Sequence, residues 1–156
     1  MQRVTNCILK DESKNQILML KKPRYGWYVV PGGKMEQGES IKQSVVREFK
    51  EETGLDLINP ELRGVFTFVV MDQLEIMREW MMFTFICDTS KGALFDYCKE
   101  GELEWVPIAE VLDKPMAEGD YFMFKHILAN EHLLYGTFIY TPDDRLIDLN
   151  LDPPCQ

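Results

Sequence analysis

Apolar and polar positions divide this chain into short alternating runs interrupted by two segments of helical period. The runs 3–10 (RVTNCILK) and 16–22 (QILMLKK) flank the polar stretch DESKN, the pattern of a β-hairpin. An aromatic and β-branched run, GWYVVPGGK (26–34), follows and is broken at Pro31-Gly32-Gly33. From Ser40 the period changes. Ser40 is placed to cap a helix, and Gln43 completes a capping box. Gly54 before Leu55 suits the left-handed cap that ends it. At about 100° per residue, Ile41, Val45, Val46, Phe49 and Thr53 share one arc, which should face the core.

Two long extended stretches, 61–71 and 75–90, read as an antiparallel pair rich in Phe, Val and Met. LEWVPI (103–108) is a further short strand and AEVLD (109–113) a short helix. The segment 118–132 reads as the second main helix, with Phe122, Ile127 and Leu128 among its apolar positions. The segment 133–152 reads as a last hairpin turning at Pro142-Asp143-Asp144. Strands, helix, strands, helix, strands: this order predicts a mixed α/β (α+β) fold with a mixed sheet, an antiparallel hairpin pair and two main helices.

The 156 residues suit a single domain spanning 1–156. A chain of this size buries about 70% of its unfolded surface, enough for a core without staples. No apolar run approaches the roughly 20 residues of a membrane span, and the start has no apolar signal core. Cys7, Cys87, Cys98 and Cys155 show no metal-binding spacing and read as reduced thiols of a cytoplasmic protein. A net charge of −9 with no basic run argues against DNA or RNA as a partner.

Charge matters most in the first helix. Glu48, Glu51 and Glu52 fall beside its apolar arc, on the rim where the helix meets the rest of the protein. A run of Glu and Lys on a helix is ordinarily a solvated face laced with i,i+4 ion pairs. Here Glu48 and Glu52 face each other at i,i+4 while Lys50 projects to the opposite side. Such a cluster is tolerable when a hard cation neutralises it, and oxygen ligands with incomplete caging suit Mg²⁺. Arg47 is placed to orient one carboxylate. Upstream, Gly32-Gly33 permits a tight turn and Lys34 offers positive charge to a phosphate. His126 and His132 find no partner in the pattern and read as structural or surface residues.

Gly33, Glu39, Arg47, Glu48, Phe49, Glu51, Glu52, Gly54 and Leu55 carry the resemblance to a known family. Their spacing resembles the Nudix signature: glycine, five residues, glutamate, seven residues, then Arg-Glu-apolar-x-Glu-Glu-x-Gly-apolar. The resemblance implies a Nudix-like αβα sandwich and Mg²⁺-dependent hydrolysis, with Mn²⁺ as a substitute, of a nucleoside diphosphate linked to another group. It implies a metal site drawn from Glu48, Glu51, Glu52 and Gly33, with Glu39 auxiliary, Arg47 orienting Glu48, and Glu51 also among the catalytic residues.

PGGKMEQGE (31–39) and 100–124 are similar to MutT-type nucleoside triphosphate pyrophosphohydrolases, which implies release of monophosphate and pyrophosphate, with oxidised purines such as 8-oxo-dGTP as candidates. That likeness adds Glu100 to the metal site, with Glu102 and Glu104 as alternatives, and Asp120 as base reader, with Glu118 as its alternative. Lys34 and Tyr28 complete the substrate-binding set, and Trp27, Phe83 and Trp105 are further aromatic candidates. Val29 departs from one oxidised-purine subgroup, which has asparagine there. An ADP-ribose or other nucleoside diphosphate pyrophosphatase is the alternative enzyme; a non-catalytic ligand sensor is the alternative of another class. The general base (Glu48 or Glu100) and a monomer or homodimer state stay open.

Overall fold

The computed structural model describes residues 1–154, so Cys155 lies outside the described residues. Among the described residues there are eleven strands: β1 (Gln2–Asp11), β2 (Gln16–Lys21), β3 (Tyr28–Val29), β4 (Gly32–Lys34), β5 (Asp56–Leu57), β6 (Glu61–Asp72), β7 (Glu75–Cys87), β8 (Ser90–Lys91), β9 (Glu102–Pro107), β10 (Leu134–Tyr140) and β11 (Leu146–Asp152). The helices are α1 (Ile41–Thr53) and α2 (Glu118–Ala129), with a 3-10 helix at Ile108–Asp113. The main sheet runs β11-β10-β6-β7-β1-β2-β3, with β4 added to β1 and β9 to β2. It is mixed, because β1 lies parallel to β7 and β10 parallel to β6, whereas β6 and β7 are antiparallel.

Alternation along β1 and β2 feeds two cores. Cys7, Leu9 and Leu18 face Val45 and Phe49 of α1, together with Leu55, Leu57 and Phe85. Ile8, Ile17 and Met19 face the other way, toward Phe66, Phe124, Ile127 and Phe138 on the α2 side. The sheet is thus the middle layer between two helices, because each helix buries one stripe against one of its faces.

Two local expectations need correction, the end of the second helix and the isolation of the histidines. The first two strands do form the expected antiparallel hairpin, though they pair only at Lys10↔Ile17 and Asp11↔Gln16. Most of β1 is taken by β4 and β7, and β2 by β3 and β9. The second helix ends at Ala129, short of residue 132. Asn130 is extended there, and its side-chain Nδ2 donates to the His126 carbonyl (2.9 Å), satisfying a helix-end acceptor in place of another turn. The two histidines do have partners: Nε2 of His126 and Nε2 of His132 lie 2.8 Å apart.

Candidate active site

The first helix is built as its sequence predicts. Ser40 Oγ accepts from the Gln43 N–H, Gln43 Oε1 accepts from the Ser40 N–H, and Gly54 closes the helix at φ 83°. Val45, Phe49 and Thr53 are buried, which seats the helix on β1 and turns its acidic rim toward β4 and the loop before β9.

Arg47 organises that rim. Its Nε donates to Glu39 Oε2 (2.6 Å) and its Nη2 to Glu39 Oε1 (2.9 Å), a bidentate pair. Its Nη1 donates to Glu48 Oε1 (2.9 Å) and Glu51 Oε2 (3.3 Å), and Nη2 also reaches the Lys34 carbonyl (3.1 Å). The Arg47 hydrogen bonds hold the Glu39 carboxyl down at about 2, and Glu39 in turn raises Arg47 further above its ordinary range. Much of the repulsion read from the sequence is therefore balanced by the protein itself. Among the described residues, no three His, Cys, Asp or Glu side chains form a ready-made metal cluster.

Glu52 is the exception. It is half-buried, its Oε2 accepts the Gly32 N–H (3.2 Å), and burial pushes its carboxyl up to about 7, with Glu100 and Glu48 adding to the shift. Glu48, Glu51, Glu52 and Glu100 line one cleft of about 490 Å³ with Phe95, Tyr97, Cys98 and Lys99. A Cβ at Gly33 would run into the Glu48 carboxylate, so any larger residue there would have to displace that group from its bond to Arg47. An all-oxygen donor set, one member disfavoured as an anion by burial, and a backbone pressed against a second member together fit a divalent cation.

Two more hollows continue from this cleft. One, about 420 Å³, shares Lys99 and Glu100 with it and adds Lys22, Arg24, Tyr25 and Trp27. The next, about 240 Å³, shares Trp27 and Asp144 with that hollow and is walled by Phe68, Val70, Trp80, Met82, Asp120 and Tyr140. Phe68 and Trp80 are register partners on β6 and β7 and stack with centroids 5.2 Å apart and planes at 7°. Burial raises Asp120 to about 7. A separate polar hollow of about 360 Å³, around Arg63 and Asn130, shares no lining residue with these three.

Several candidates fall elsewhere. Tyr28 is buried at 6% exposure, its hydroxyl donates to Glu104 Oε1 (3.0 Å), and the Lys114 ammonium lies 5.1 Å from its ring, so it belongs to the core and not to the substrate cleft. The same contacts, with Lys114 at 3.4 Å, occupy Glu104, and Glu102 is exposed on β9. Glu100, exposed and 3.5 Å from Lys22, is the acid of that segment that reaches the cleft. The Lys34 side chain is exposed and contributes only its carbonyl; Glu118 is exposed outside the aromatic hollow, whereas Asp120 lines it. Phe83 and Trp105 pack against the α1-side core. Trp27 does line both outer hollows. Phe68, Trp80, Tyr140 and Asp144, with the cations Lys22, Arg24 and Lys99, were not singled out by the sequence. The signal for the first two was period-2 alternation on paired strands, which shows a shared face but not what that face meets.

The NUDIX domain family model matches residues 1–127. The chain is 48% identical over 153 residues to an uncharacterised Nudix hydrolase, YvcI, of Bacillus subtilis, covering 98% of this chain and 96% of that protein. A NAD-capped RNA hydrolase, NudC, of Vibrio atlanticus is 33% identical over 115 residues, covering 71% of this chain and 40% of its own length. The crystal structure of a MutT protein from Bacillus halodurans superposes with a TM-score of 0.95 at 52% identity, over 99% of both chains. The mixed α+β architecture is that of the Nudix fold, the signature residues run from β4 through the following loop to α1 and its C-cap, and the chain belongs to the Nudix family as one of its hydrolases.

Proposed function

We propose that this enzyme hydrolyses a purine nucleoside triphosphate to monophosphate and pyrophosphate, oxidised purines such as 8-oxo-dGTP included. One observation carries the reading: an unbroken run of shared lining residues from the carboxylate cleft, through a lysine- and arginine-bearing hollow, to an aromatic pocket holding Asp120. That order matches a nucleotide laid out as metal-bound phosphates, then the phosphate and ribose nearest the nucleoside, then the base. Aromatic faces take a base by stacking, and Lys22, Arg24 and Lys99 meet phosphate charge.

Glu48, Glu51, Glu52 and Glu100 would hold the divalent cation, Mg²⁺ with Mn²⁺ as a substitute, and Gly33 gives it room beside Glu48. When bound, the cation neutralises phosphate oxygens and acidifies water. The chain's own groups do the rest. Arg47 fixes Glu48 by its 2.9 Å bond, and Glu48 takes the proton of the attacking water on a carboxylate oxygen. Glu39 holds Arg47 by its bidentate pair. Asp120 reads the base edge. The reaction is placed in the cytoplasm, with a nucleotide as partner and neither nucleic acid nor a membrane required.

A second reading, hydrolysis of a nucleoside diphosphate joined to another group, is favoured by one feature. Phe95 and Tyr97, 47% and 77% exposed, line the carboxylate cleft and offer apolar surface to such a group. A panel of dGTP, 8-oxo-dGTP, ADP-ribose and a dinucleoside polyphosphate with Mg²⁺, products resolved by chromatography, separates the two. The triphosphate reading expects the highest kcat/KM for a triphosphate with pyrophosphate as product. A tenfold preference for ADP-ribose or the dinucleotide overturns it and leaves the family assignment intact.

A further inference from the structure

Tyr140 ends β10 and lines the aromatic pocket, yet only 6% of it is exposed. Its hydroxyl oxygen accepts the Gly119 N–H at 2.7 Å. Gly119 stands in the first turn of α2, where backbone N–H groups have no partner inside the helix. The contact is tight: a Cβ on Gly119 would strike both the Phe138 ring and the Tyr140 hydroxyl.

A phenol has one proton to donate and lone pairs to accept with. The helix end occupies the acceptor side, so the remaining capacity that matters is the donor. Gly119 is the one hydrogen-bond partner of this hydroxyl among the described residues, and no hydrogen bond joins it to Asp120. Of the rest of the lining, Trp27, Phe68, Val70, Trp80 and Met82 present rings and alkyl or thioether surface, poor acceptors for an O–H, and the Asp144 carboxylate is likewise not hydrogen-bonded to the phenol. Burial and the Asp120 charge raise the Tyr140 pKa, so the proton stays on the oxygen across the neutral range.

We propose that Tyr140 is a specificity-determining residue whose hydroxyl, oriented by the Gly119 N–H, donates a hydrogen bond to an acceptor atom on the edge of the bound purine. The proposal rests on the base occupying the aromatic pocket. It sets a phenol fixed as donor beside the carboxyls of Asp120 and Asp144, contacts of a different character. A site built to bond an acceptor leaves its donor unpaired when the acceptor is missing, which makes discrimination steep.

The test uses the full-length chain with Mg²⁺ and three triphosphates: dGTP, 7-deaza-dGTP, which lacks the N7 acceptor, and 2-aminopurine deoxyriboside triphosphate, which lacks O6. The wild type is expected to favour dGTP over at least one analogue by about tenfold or more in kcat/KM, and Tyr140→Phe to bring that ratio close to one. The phenyl ring keeps its packing on Phe68, and water can reach the Gly119 N–H at the helix end, so the variant should fold. A purely structural role would lower all three substrates by one common factor in Tyr140→Phe, which overturns the proposal. Equal wild-type kcat/KM for all three overturns it whatever the variant does, while the substrate reading survives. No hydrolysis of any triphosphate, by contrast, removes the substrate reading itself and the proposal with it.

Discussion

The carboxylate rim of α1 and the aromatic pocket beside α2 are made in opposite ways. The rim is local: Gly32, Gly33, Glu39, Arg47, Glu48, Glu51 and Glu52 lie on β4, the loop after it and α1, tied together by Arg47 and by the Gly32 bond to Glu52. The pocket draws Trp27, Phe68, Trp80, Asp120 and Tyr140 from five separate segments of chain. The rim is polar and preorganised by charge-assisted bonds, whereas the pocket is largely apolar, with a buried phenol at Tyr140 and half-buried carboxyls at Asp120 and Asp144. Chemistry common to a family needs a fixed constellation, and short-range structure supplies it. Choice of base needs a shaped cavity, and tertiary assembly supplies that.

Neutralising the rim should give the largest effect. Glu51→Gln or Glu52→Gln should cost orders of magnitude in kcat with the fold intact. In EDTA at pH 8, Glu52→Gln should melt no lower than the wild type, because burial already penalises its charge. A much lower melt with full turnover would make these carboxylates structural.

Next comes the division of labour between Glu48 and Glu100. A positioned general base is worth about 10²–10⁴ in rate, while a lost ligand also weakens cation affinity. Raising Mg²⁺ should not rescue Glu48→Gln and should partly rescue Glu100→Gln. The reverse pattern moves the base to Glu100.

A smaller loss is expected from Gly33→Ala, whose methyl would meet the Glu48 carboxylate. Displacing that group by about 1 Å should lower kcat by about 10²-fold, with base preference unchanged. A changed preference would show that the two regions are mechanically joined.

The smallest effect is on stability against pH. Asp120 is raised from its ordinary 3.8, and Glu52 from 4.5, each to about 7. Both bind protons more tightly folded than unfolded. Their contribution is therefore complete below about pH 4 and is lost as pH rises through 7. Glu39, held near 2, works the other way, below that window. Metal-free protein should lose Tm between about pH 4 and 7, and Asp120→Asn should flatten that slope. An unchanged slope would mean that the aspartate titrates normally.

The same contrast decided what the sequence disclosed. The capping box at Ser40 and Gln43, the Gly54 cap, the buried stripe of Val45 and Phe49 and the Arg47 contact to Glu48 are all short-range and were legible. The pocket depends on β10 lying parallel to β6 and on the pairing of Phe68 with Trp80, which no local pattern encodes. Tyr28 shows the limit in one residue. Trp27, just before β3, and Val29 on it line the middle hollow while Tyr28 between them faces the core, and alternation alone does not say which side is which. Lys34 was expected at a phosphate because charge is visible in sequence; that only its carbonyl serves Arg47 is not.

The division of labour itself is tested by kcat/KM for dGTP, 8-oxo-dGTP, dATP and dCTP in the wild type, Glu52→Gln and Trp80→Ala. Glu52→Gln should lower every substrate by a similar large factor and preserve their ratios, whereas Trp80→Ala should draw the ratios toward one. Ratios altered by Glu52→Gln, or untouched by Trp80→Ala, would contradict the assignment of chemistry to the rim and choice to the pocket.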